Sequence, residues 1–191
     1  MATTDPEHAS RLALDRLPPR ARNAVYHAVI EAAQGSRNKC KFEPALGVLV
    51  LHKVLPPGLA YPYSFGFIPG TLGDDGDALD VLVLMDEPVV PGTVVPCRLV
   101  GVIEARQRKR GEKKTIRNDR LLAIALEGER YRSVRQLRAL GREVLDDIER
   151  FFVADNERAD KVFTPIGRRG RTHAETLVAR GVRRYARDAS G

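Results

Sequence analysis

An acidic loop at residues 73–80 constrains this chain more than any other stretch. It carries Asp74, Asp75, Asp77 and Asp80 with two glycines, and an apolar run follows directly at residues 81–85. A short aliphatic run of this kind is typical of a buried strand, so the carboxylates lie where a loop enters packed structure. Like charges this close repel each other, and a divalent cation that prefers carboxylate oxygen can offset that repulsion. A solvated acidic turn is the alternative interpretation.

The chain length of 191 residues suits one domain with a sizeable core. We predict a flexible N-terminal segment at residues 1–18 and a single domain at residues 19–191. No apolar run reaches the ~20 residues that span a bilayer, and no secretory signal is evident. Cys40 and Cys97 match no metal-ligand spacing, so we expect free thiols and a cytoplasmic protein. The four histidines are isolated in the sequence, which makes a zinc cluster improbable.

The net charge of +7 predicts attraction of anions. Much of the excess lies in a basic stretch at residues 106–120 and in the C-terminal part of the chain. Either could contact nucleic acid or polyphosphate. Neither carries the interleaved aromatic residues of a single-strand binder, so a solvated basic hairpin loop is the favoured interpretation of residues 106–120. Nucleic acid stays a minor alternative, and no membrane partner is expected.

The order of elements predicts the fold class. Short apolar segments punctuated by glycine and proline run from about residue 47 to residue 126, which indicates a β core. Ser133 begins a capping-box pattern before a helical apolar repeat that extends to about residue 153, and Thr172 begins a second one. Strands followed by two helices indicate an α+β, mainly β fold with a barrel core.

Residues suited to phosphate chemistry on a metal precede and include the acidic loop. Carboxylates can bind cations and accept a proton from water, lysines can bind phosphate, and a tyrosine offers a hydroxyl group. The candidates are Glu31, Lys41, Glu43, Lys53, Tyr61, Asp75, Asp77 and Asp80. Taken alone, each lysine is better interpreted as a surface charge, and the tyrosine as a core side chain with an exposed hydroxyl group.

Four motifs resemble those of the soluble family I inorganic pyrophosphatases. The acidic segment at residues 75–83, DGDALDVLV, is similar to the family pattern D-G-D-x-(apolar)-D-(apolar). Upstream, residues 61–68, YPYSFGFI, resemble Y-P-x-N-Y-G-[YF]-I. Downstream, residues 91–92 and 97–102 resemble P-G and C-R-x-(apolar)-G-V. The resemblance implies a small closed, OB-like β-barrel core with two flanking α-helices, and a homo-oligomer.

The resemblance also implies a function and assigns roles. It implies Mg²⁺-dependent hydrolysis of pyrophosphate to two phosphates, with Mn²⁺ as a substitute. Asp77 is implied as the carboxylate that helps water become the nucleophile. The substrate contacts implied are Lys41, Lys53, Tyr61 and Arg120. The metal ligands implied are Asp75, Asp80, Asp77, Glu43 and Glu31. Asp119 is added to them because it lies one position from Asn118, where the family has an aspartate.

Several positions depart from the family pattern. Lys53 stands for an arginine, Phe65 for a tyrosine, Gln107 and Asn118 for two aspartates, Arg120 for a lysine, and Asp155-Asn156 for a Tyr-Lys pair. Two further hypotheses therefore stay open beside the hydrolase. One is a non-catalytic homologue that binds diphosphate, nucleotide or polyphosphate. The other is a hydrolase of a different, larger phosphoanhydride.

Overall fold

The computed structural model describes residues 13–189, which form a mainly β structure with two helices. The strands are β1 Tyr26–Ala32, β2 Asn38–Glu43, β3 Val48–Val54, β4 Ser64–Ile68, β5 Leu79–Leu84, β6 Val94–Lys109, β7 Ile116–Arg117, β8 Arg120–Ala125 and β9 Lys161–Gly170. The helices are α1 Arg142–Arg158 and α2 Arg171–Asp188. Short 3-10 turns lie at Leu14–Arg16 and Leu137–Leu140.

Five strands close into a ring in the order β1, β4, β5, β8, β6 and back to β1. β5 and β8 are parallel, and the other four pairings of the ring are antiparallel. β6 is 16 residues long, so its first part closes the ring and its later part pairs with β7 and β9. The separate β2–β3 hairpin stands beside the ring. The closed ring and its helices confirm the predicted α+β, barrel-type fold.

The core has two main apolar clusters, and successive residues of β5 contribute side chains to them alternately. Val81 and Val83 enter the cluster that α2 covers, whereas Leu82 and Leu84 enter the cluster that α1 covers. This period of two is what a strand buried on both faces requires. The acidic loop is therefore anchored to a strand whose two faces are both packed. No helix within residues 13–189 has the length and apolar character that crossing a membrane requires.

Gly66 in β4 marks the closest backbone approach in the ring. β4 pairs there with β1, and a methyl group built on Gly66 would lie 1.8 Å from the carbonyl oxygen of Val29 and 2.9 Å from the Cα atom of Ile30. Both atoms belong to the backbone, so neither can turn aside. Only glycine fits this position, and it lies on the strand that leads into the acidic loop.

Both predicted helices exist, but their predicted starts were wrong. α1 begins at Arg142 rather than at Ser133, because Gly141, with φ of 83°, ends the preceding 3-10 turn. Leu137 is nevertheless buried, which explains why the apolar repeat ran on through the break. α2 begins at Arg171 with Gly170 at the N-cap, so Thr172 does not cap it.

Two regions differ from the sequence-based expectations in other ways. β9 was not predicted, because a proline and two glycines interrupt its β-branched residues and basic residues follow them. Its nine paired positions along β6 stabilise it instead. Of the segment predicted to be flexible, residues 1–12 lie outside the described part. Leu14 is buried beside Phe67, so residues from 13 onward pack on the domain.

Glu104 in β6 contacts two arginines and a histidine from three other elements. It is 8% exposed, and its carboxylate accepts hydrogen bonds from Arg117 of β7 at 2.8 Å and from Arg169 of β9 at 3.0 Å. His173 of α2 lies 3.3 Å away through Nε2. The hydrogen bond from Arg117, with those of its neighbours, holds the pKa of Glu104 below its usual range against the opposing effect of burial.

We expect Glu104→Gln to lower the free energy of unfolding by about 2 kcal/mol near neutral pH, because it removes hydrogen bonds to a charged group. The pKa is lower in the folded state, so the contribution is complete above the unfolded value of about 4.5 and is lost as pH falls through the folded value. Urea unfolding of both proteins across this range should show a gap that narrows toward acid pH. A gap that widens would contradict the assignment. Glu112→Gln, at an exposed pair with Lys109, is the control and should change little.

Candidate functional site

A cleft of about 850 Å³ lies between the acidic loop, the β2–β3 hairpin, the later part of β6 and α1. The structure brings nine of the ten predicted site residues to its lining. They are Glu31, Lys41, Glu43, Lys53, Tyr61, Asp75, Asp77, Asp80 and Arg120. Carboxylates from the acidic loop form one wall, and lysines from β2 and β3 face them. The cleft thus combines donors for a cation with cations for an anion.

The acidic loop is closed by its own backbone. The amide of Gly73 donates to the carbonyl of Asp77 at 2.7 Å, and the amide of Asp77 donates to the Asp75 carboxylate at 3.3 Å. Gly76 has φ of 87°, which a glycine adopts without strain. Asp74 pairs with Arg184 of α2 and does not line the cleft. This turn therefore directs Asp75 and Asp77 to the cleft and Asp74 away from it.

Three of the predicted metal-binding carboxylates already have a cationic partner. Asp77 is 2.9 Å from Lys41, Glu31 is 3.4 Å from Lys39, and Asp80 is 2.6 Å from the Nη1 atom of Arg120. The structure offers Asp75 no comparable ion pair among the described residues. Glu43 is exposed at the rim of the cleft.

The pKa values of two carboxylates show that negative charge is crowded here. Burial is the main cause that raises the pKa of Glu31, and Asp80 adds to it although Lys39 opposes the shift. Burial likewise raises the pKa of Asp75, again with repulsion from Asp80. Ionising either carboxylate therefore costs more free energy here than it does in water, and a bound cation would reduce that cost.

The donor set suits a hard divalent cation, although the side chains are not yet arranged around one. Within residues 13–189, no group of three or more Asp, Glu, His or Cys residues is placed to hold a metal ion. Two of the candidate carboxylates, Asp77 and Glu31, are instead paired with Lys41 and Lys39 of β2. Carboxylate oxygen is nevertheless the ligand that Mg²⁺ and Mn²⁺ prefer. The residues present therefore fit such a cation once those lysines move.

The far side of the cleft is built on aromatic packing. Tyr61 is 2% exposed and stacks against Phe65 with a centroid distance of 5.5 Å. Burial raises the pKa of Tyr61, so its hydroxyl stays a hydrogen-bond donor at neutral pH. Lys53 of β3 forms an ion pair with Asp155 of α1, which joins the hairpin to the helix across the cleft.

Arg120 holds the end of the cleft opposite the hairpin. It is 5% exposed, and its guanidinium carbon lies 4.7 Å from the ring centroid of Phe152. Next to it, the Asn118 side chain donates to Gln107 at 3.0 Å and accepts from Arg120. The two positions where the resemblance implied aspartates are thus a neutral amide pair.

Asp119, the tenth predicted site residue, is not in this cleft. Its carboxylate accepts from the amide of Ala105 at 2.9 Å and from Arg117 at 2.9 Å and 3.1 Å. It lines an adjacent cavity of about 300 Å³, which shares Asp75, Asp80 and Asn118 with the cleft. The prediction included Asp119 because it lies one position from Asn118, where the resemblance implies an aspartate. Its local partners draw it away, and we do not retain it as a ligand.

Several cleft residues were missed from the sequence. Lys39 lies two positions before Lys41, so the period of two in β2 was a signal that both lysines share one face. Lys161 lines the cleft from the start of β9, which was itself unpredicted. Arg108 and Lys114 belong to the basic stretch that was predicted to be a solvated loop, and both also line the cleft.

Comparison with known proteins identifies the family. A family model described as inorganic pyrophosphatase matches residues 28–186. The chain belongs to the inorganic pyrophosphatase family. An inorganic pyrophosphatase of a Nostoc species is 34% identical over 172 residues, which cover 90% of this chain and 98% of that relative. The membership predicted from the motifs is confirmed.

Solved structures of inorganic pyrophosphatases match the fold as well. The enzyme from Thermus thermophilus superposes with a TM-score of 0.82 at 33% identity, covering 91% of this chain and 99% of that one. The enzyme from Helicobacter pylori gives a TM-score of 0.79 at 27% identity, covering 89% and 98%. Pyrophosphatases of this family are metal-dependent, in agreement with the donor chemistry of the cleft.

Proposed function

We propose that this chain hydrolyses inorganic pyrophosphate to two phosphates with Mg²⁺ as its cofactor, and that Mn²⁺ can substitute. The observation that carries the proposal is the cleft in which the acidic loop faces Lys41 and Lys53. Carboxylates there would hold a cation, and the lysines would hold the anionic substrate. Membership of the inorganic pyrophosphatase family supports the reaction.

The metal set in this proposal comes from the wall that carries the crowded charge. It consists of Asp75, Asp77, Asp80, Glu31 and Glu43. When bound, Mg²⁺ would offset phosphate charge and make the attacking water a stronger acid. The raised pKa values of Asp75 and Glu31 favour this assignment, because a cation would stabilise both carboxylates in the charged form.

Asp77 is proposed as the group that takes the proton from water. Its side chain is exposed to the cleft and its partner Lys41 is also accessible, so the carboxylate can be released. Water would form a bond to one phosphorus while the bond from that phosphorus to the bridging oxygen breaks. The proton would pass to the Asp77 carboxylate, and the leaving phosphate would depart with the bridging oxygen.

The substrate contacts are proposed to be Lys41, Lys53, Tyr61 and Arg120. Lys41 and Lys53 would exchange their carboxylate partners for phosphate oxygens when substrate enters. Tyr61 stays protonated and can donate a hydrogen bond. Fixed donors and cations of this kind stabilise the charge that develops as the bridging bond breaks.

Phosphate release from pyrophosphate with saturating Mg²⁺ tests the proposal. Turnover that requires Mg²⁺ or Mn²⁺ is the expected result. Binding of pyrophosphate without release at any concentration of either cation would overturn it and favour a non-catalytic binder. If phosphate is released only from longer phosphoanhydrides, one of those compounds is the substrate and pyrophosphate is not.

Asp155→Asn should lower the KM for pyrophosphate by about threefold to tenfold, with a smaller effect on kcat. The Asp155 carboxylate places a negative charge at the cleft, which repels a phosphate anion. It also forms an ion pair with the Lys53 ammonium group, so it competes with the substrate for that cation. Steady-state kinetics at fixed free Mg²⁺ measure this change.

Asp147→Asn is the matched control for Asp155→Asn. Asp147 lies on the exposed side of the same helix, where it pairs with Arg150. It should leave the KM unchanged. A higher KM in Asp155→Asn would contradict the assignment of Lys53 as a substrate contact.

The assembly is inferred from the resemblance, and the location from the free thiols of Cys40 and Cys97. We propose a cytoplasmic homo-oligomer of the single domain at residues 19–191, with pyrophosphate rather than nucleic acid as the partner of the basic residues. Light scattering on the purified full chain tests the oligomer. A monomer at micromolar concentration would refute that part of the proposal.

A further inference from the structure

Arg120 differs from the other cations of the cleft in how firmly it is held. Its guanidinium carbon lies 4.7 Å and 5.1 Å from the ring centroids of Phe152 and Phe163, two rings that pack against each other on one side of it. The two N–H groups of its Nη1 atom are shared among the main-chain carbonyls of Asn118 and Asp119 and the Asp80 carboxylate. Stacking and several hydrogen bonds together fix the group at the first residue of β8.

The lysines of the same cleft are held much less firmly. The exposed fraction of the side chain is 48% for Lys41, 30% for Lys53 and 22% for Lys39, but only 6% for Arg120. A lysine has a flexible stem and one compact charge, so it can leave its carboxylate when another cation arrives. Arg120 cannot leave without opening the aromatic packing. Asp80 therefore keeps a positive charge 2.6 Å from its Oδ2 atom.

Among the described residues, the Gln107–Asn118 side of Arg120 presents two neutral amides and a carboxylate that is already paired. Gln107 is 8% exposed and accepts a hydrogen bond from Asn118, which is neutral too. The next carboxylate along the chain, Asp119, is bound by Arg117 outside the cleft. A divalent cation at this end would meet a fixed guanidinium and two amides, a donor set that does not suit it.

We propose that Arg120 is a built-in counter-ion that excludes a divalent cation from the Gln107–Asn118 side of Asp80. Cations then bind only at the side formed by Asp75, Asp77 and Glu31, where Asp80 can contribute its other oxygen. Arg120 supplies, on the excluded side, the positive charge that faces the substrate. The inference rests on the proposed function, since it concerns how the same cleft takes up cations.

Counting bound Mn²⁺ by its electron paramagnetic resonance signal tests this on the full chain without any turnover. The decisive variants are Asn118→Asp alone and Asn118→Asp combined with Arg120→Met. Asn118→Asp alone should bind the same number of ions as the natural protein, with affinity within about twofold, because Arg120 already donates to this side chain and would neutralise the new carboxylate. The double variant should bind one more ion per chain, because the Asp80 carboxylate and the carboxylate introduced at position 118 then have no arginine partner and can bind a cation.

The outcomes separate the two proposals. An extra ion in Asn118→Asp with Arg120 intact, or no extra ion in a folded double variant, would overturn the counter-ion role. Natural protein that neither binds Mn²⁺ nor releases phosphate would instead overturn the proposed function. If Arg120→Met does not fold, Gln107→Asp with Asn118→Asp leaves Arg120 untouched, and an added ion there again refutes the inference.

Arg168→Met is the matched control for the loss of an arginine. Arg168 bridges Asp146 and Glu149 of α1 from β9, outside the cleft. Its loss removes the same charge from beside carboxylates, so it should leave the number of bound Mn²⁺ ions unchanged. An added ion in this variant would show that any lost arginine creates a cation site and would overturn the specific role of Arg120.

Discussion

Replacing Asp77 with asparagine should slow pyrophosphate hydrolysis by about 10²- to 10⁴-fold, the range that a positioned proton acceptor contributes. Asparagine keeps the shape of the side chain but cannot take a proton from water. The fold should be unaffected, because Asp77 and Lys41 form an exposed pair of the kind that contributes ~1 kcal/mol or less. The measurement is kcat at saturating pyrophosphate and Mg²⁺.

Asp74→Asn is the control for Asp77→Asn within the same loop. Asp74 has the same chemistry, but it pairs with Arg184 on the side away from the cleft. Its replacement should leave kcat within about twofold of the natural protein. If Asp77→Asn retains the natural rate, another group accepts the proton and the role proposed for Asp77 is wrong.

Gly66→Ala should prevent β4 from pairing with β1 as it does in the natural protein, and so should prevent the ring from closing. The added methyl group would lie 1.8 Å from a backbone oxygen of β1, far inside van der Waals contact. Overpacking usually costs about 1 to 3 kcal/mol, and a clash with backbone on a paired strand exceeds that range because no side chain can yield. We therefore expect either insoluble protein or a urea midpoint that corresponds to a loss of more than about 3 kcal/mol in the free energy of unfolding.

Gly170→Ala provides the comparison for Gly66→Ala. Gly170 precedes α2, has φ of −75°, and has no atom within 4 Å of the position that a methyl group would take. The loss in unfolding free energy should stay below about 1 kcal/mol, the value of an unfavourable N-cap residue. A soluble Gly66→Ala protein with the natural urea midpoint would show that β1 and β4 can separate without cost.

Features written locally in the sequence were predicted well. The acidic loop and its strand are adjacent in the chain, so the positions of Asp75, Asp77 and Asp80 at one cleft followed from a turn and a buried run. The β2 strand showed the same locality for Lys41 and Glu43. These residues need only their own strand or turn to share a face, and period two supplies that information.

Features that depend on partners distant in the chain were not accessible. Asp119 needed knowledge of Arg117 and of the amide of Ala105, which hold it outside the cleft. β9 needed the long pairing with β6, since the proline and glycines within it weaken the strand pattern of its own residues. The true start of α1 depended on a left-handed glycine, whereas the apolar repeat through Leu137 continued unbroken in the sequence.

The parallel pairing of β5 with β8 has a consequence for the order of folding. β8 forms an antiparallel pair with β6 across a short connection, whereas its contact with β5 joins residues such as Val81 and Leu121 that are distant in the chain. Loop-closure entropy favours the local pair first, and the long-range parallel contact is made late. Since the acidic loop leads directly into β5, its position against Arg120 at the start of β8 is reached only when this parallel contact forms. The cleft therefore cannot be completed by local structure alone, even though its acidic wall is one short segment of the chain.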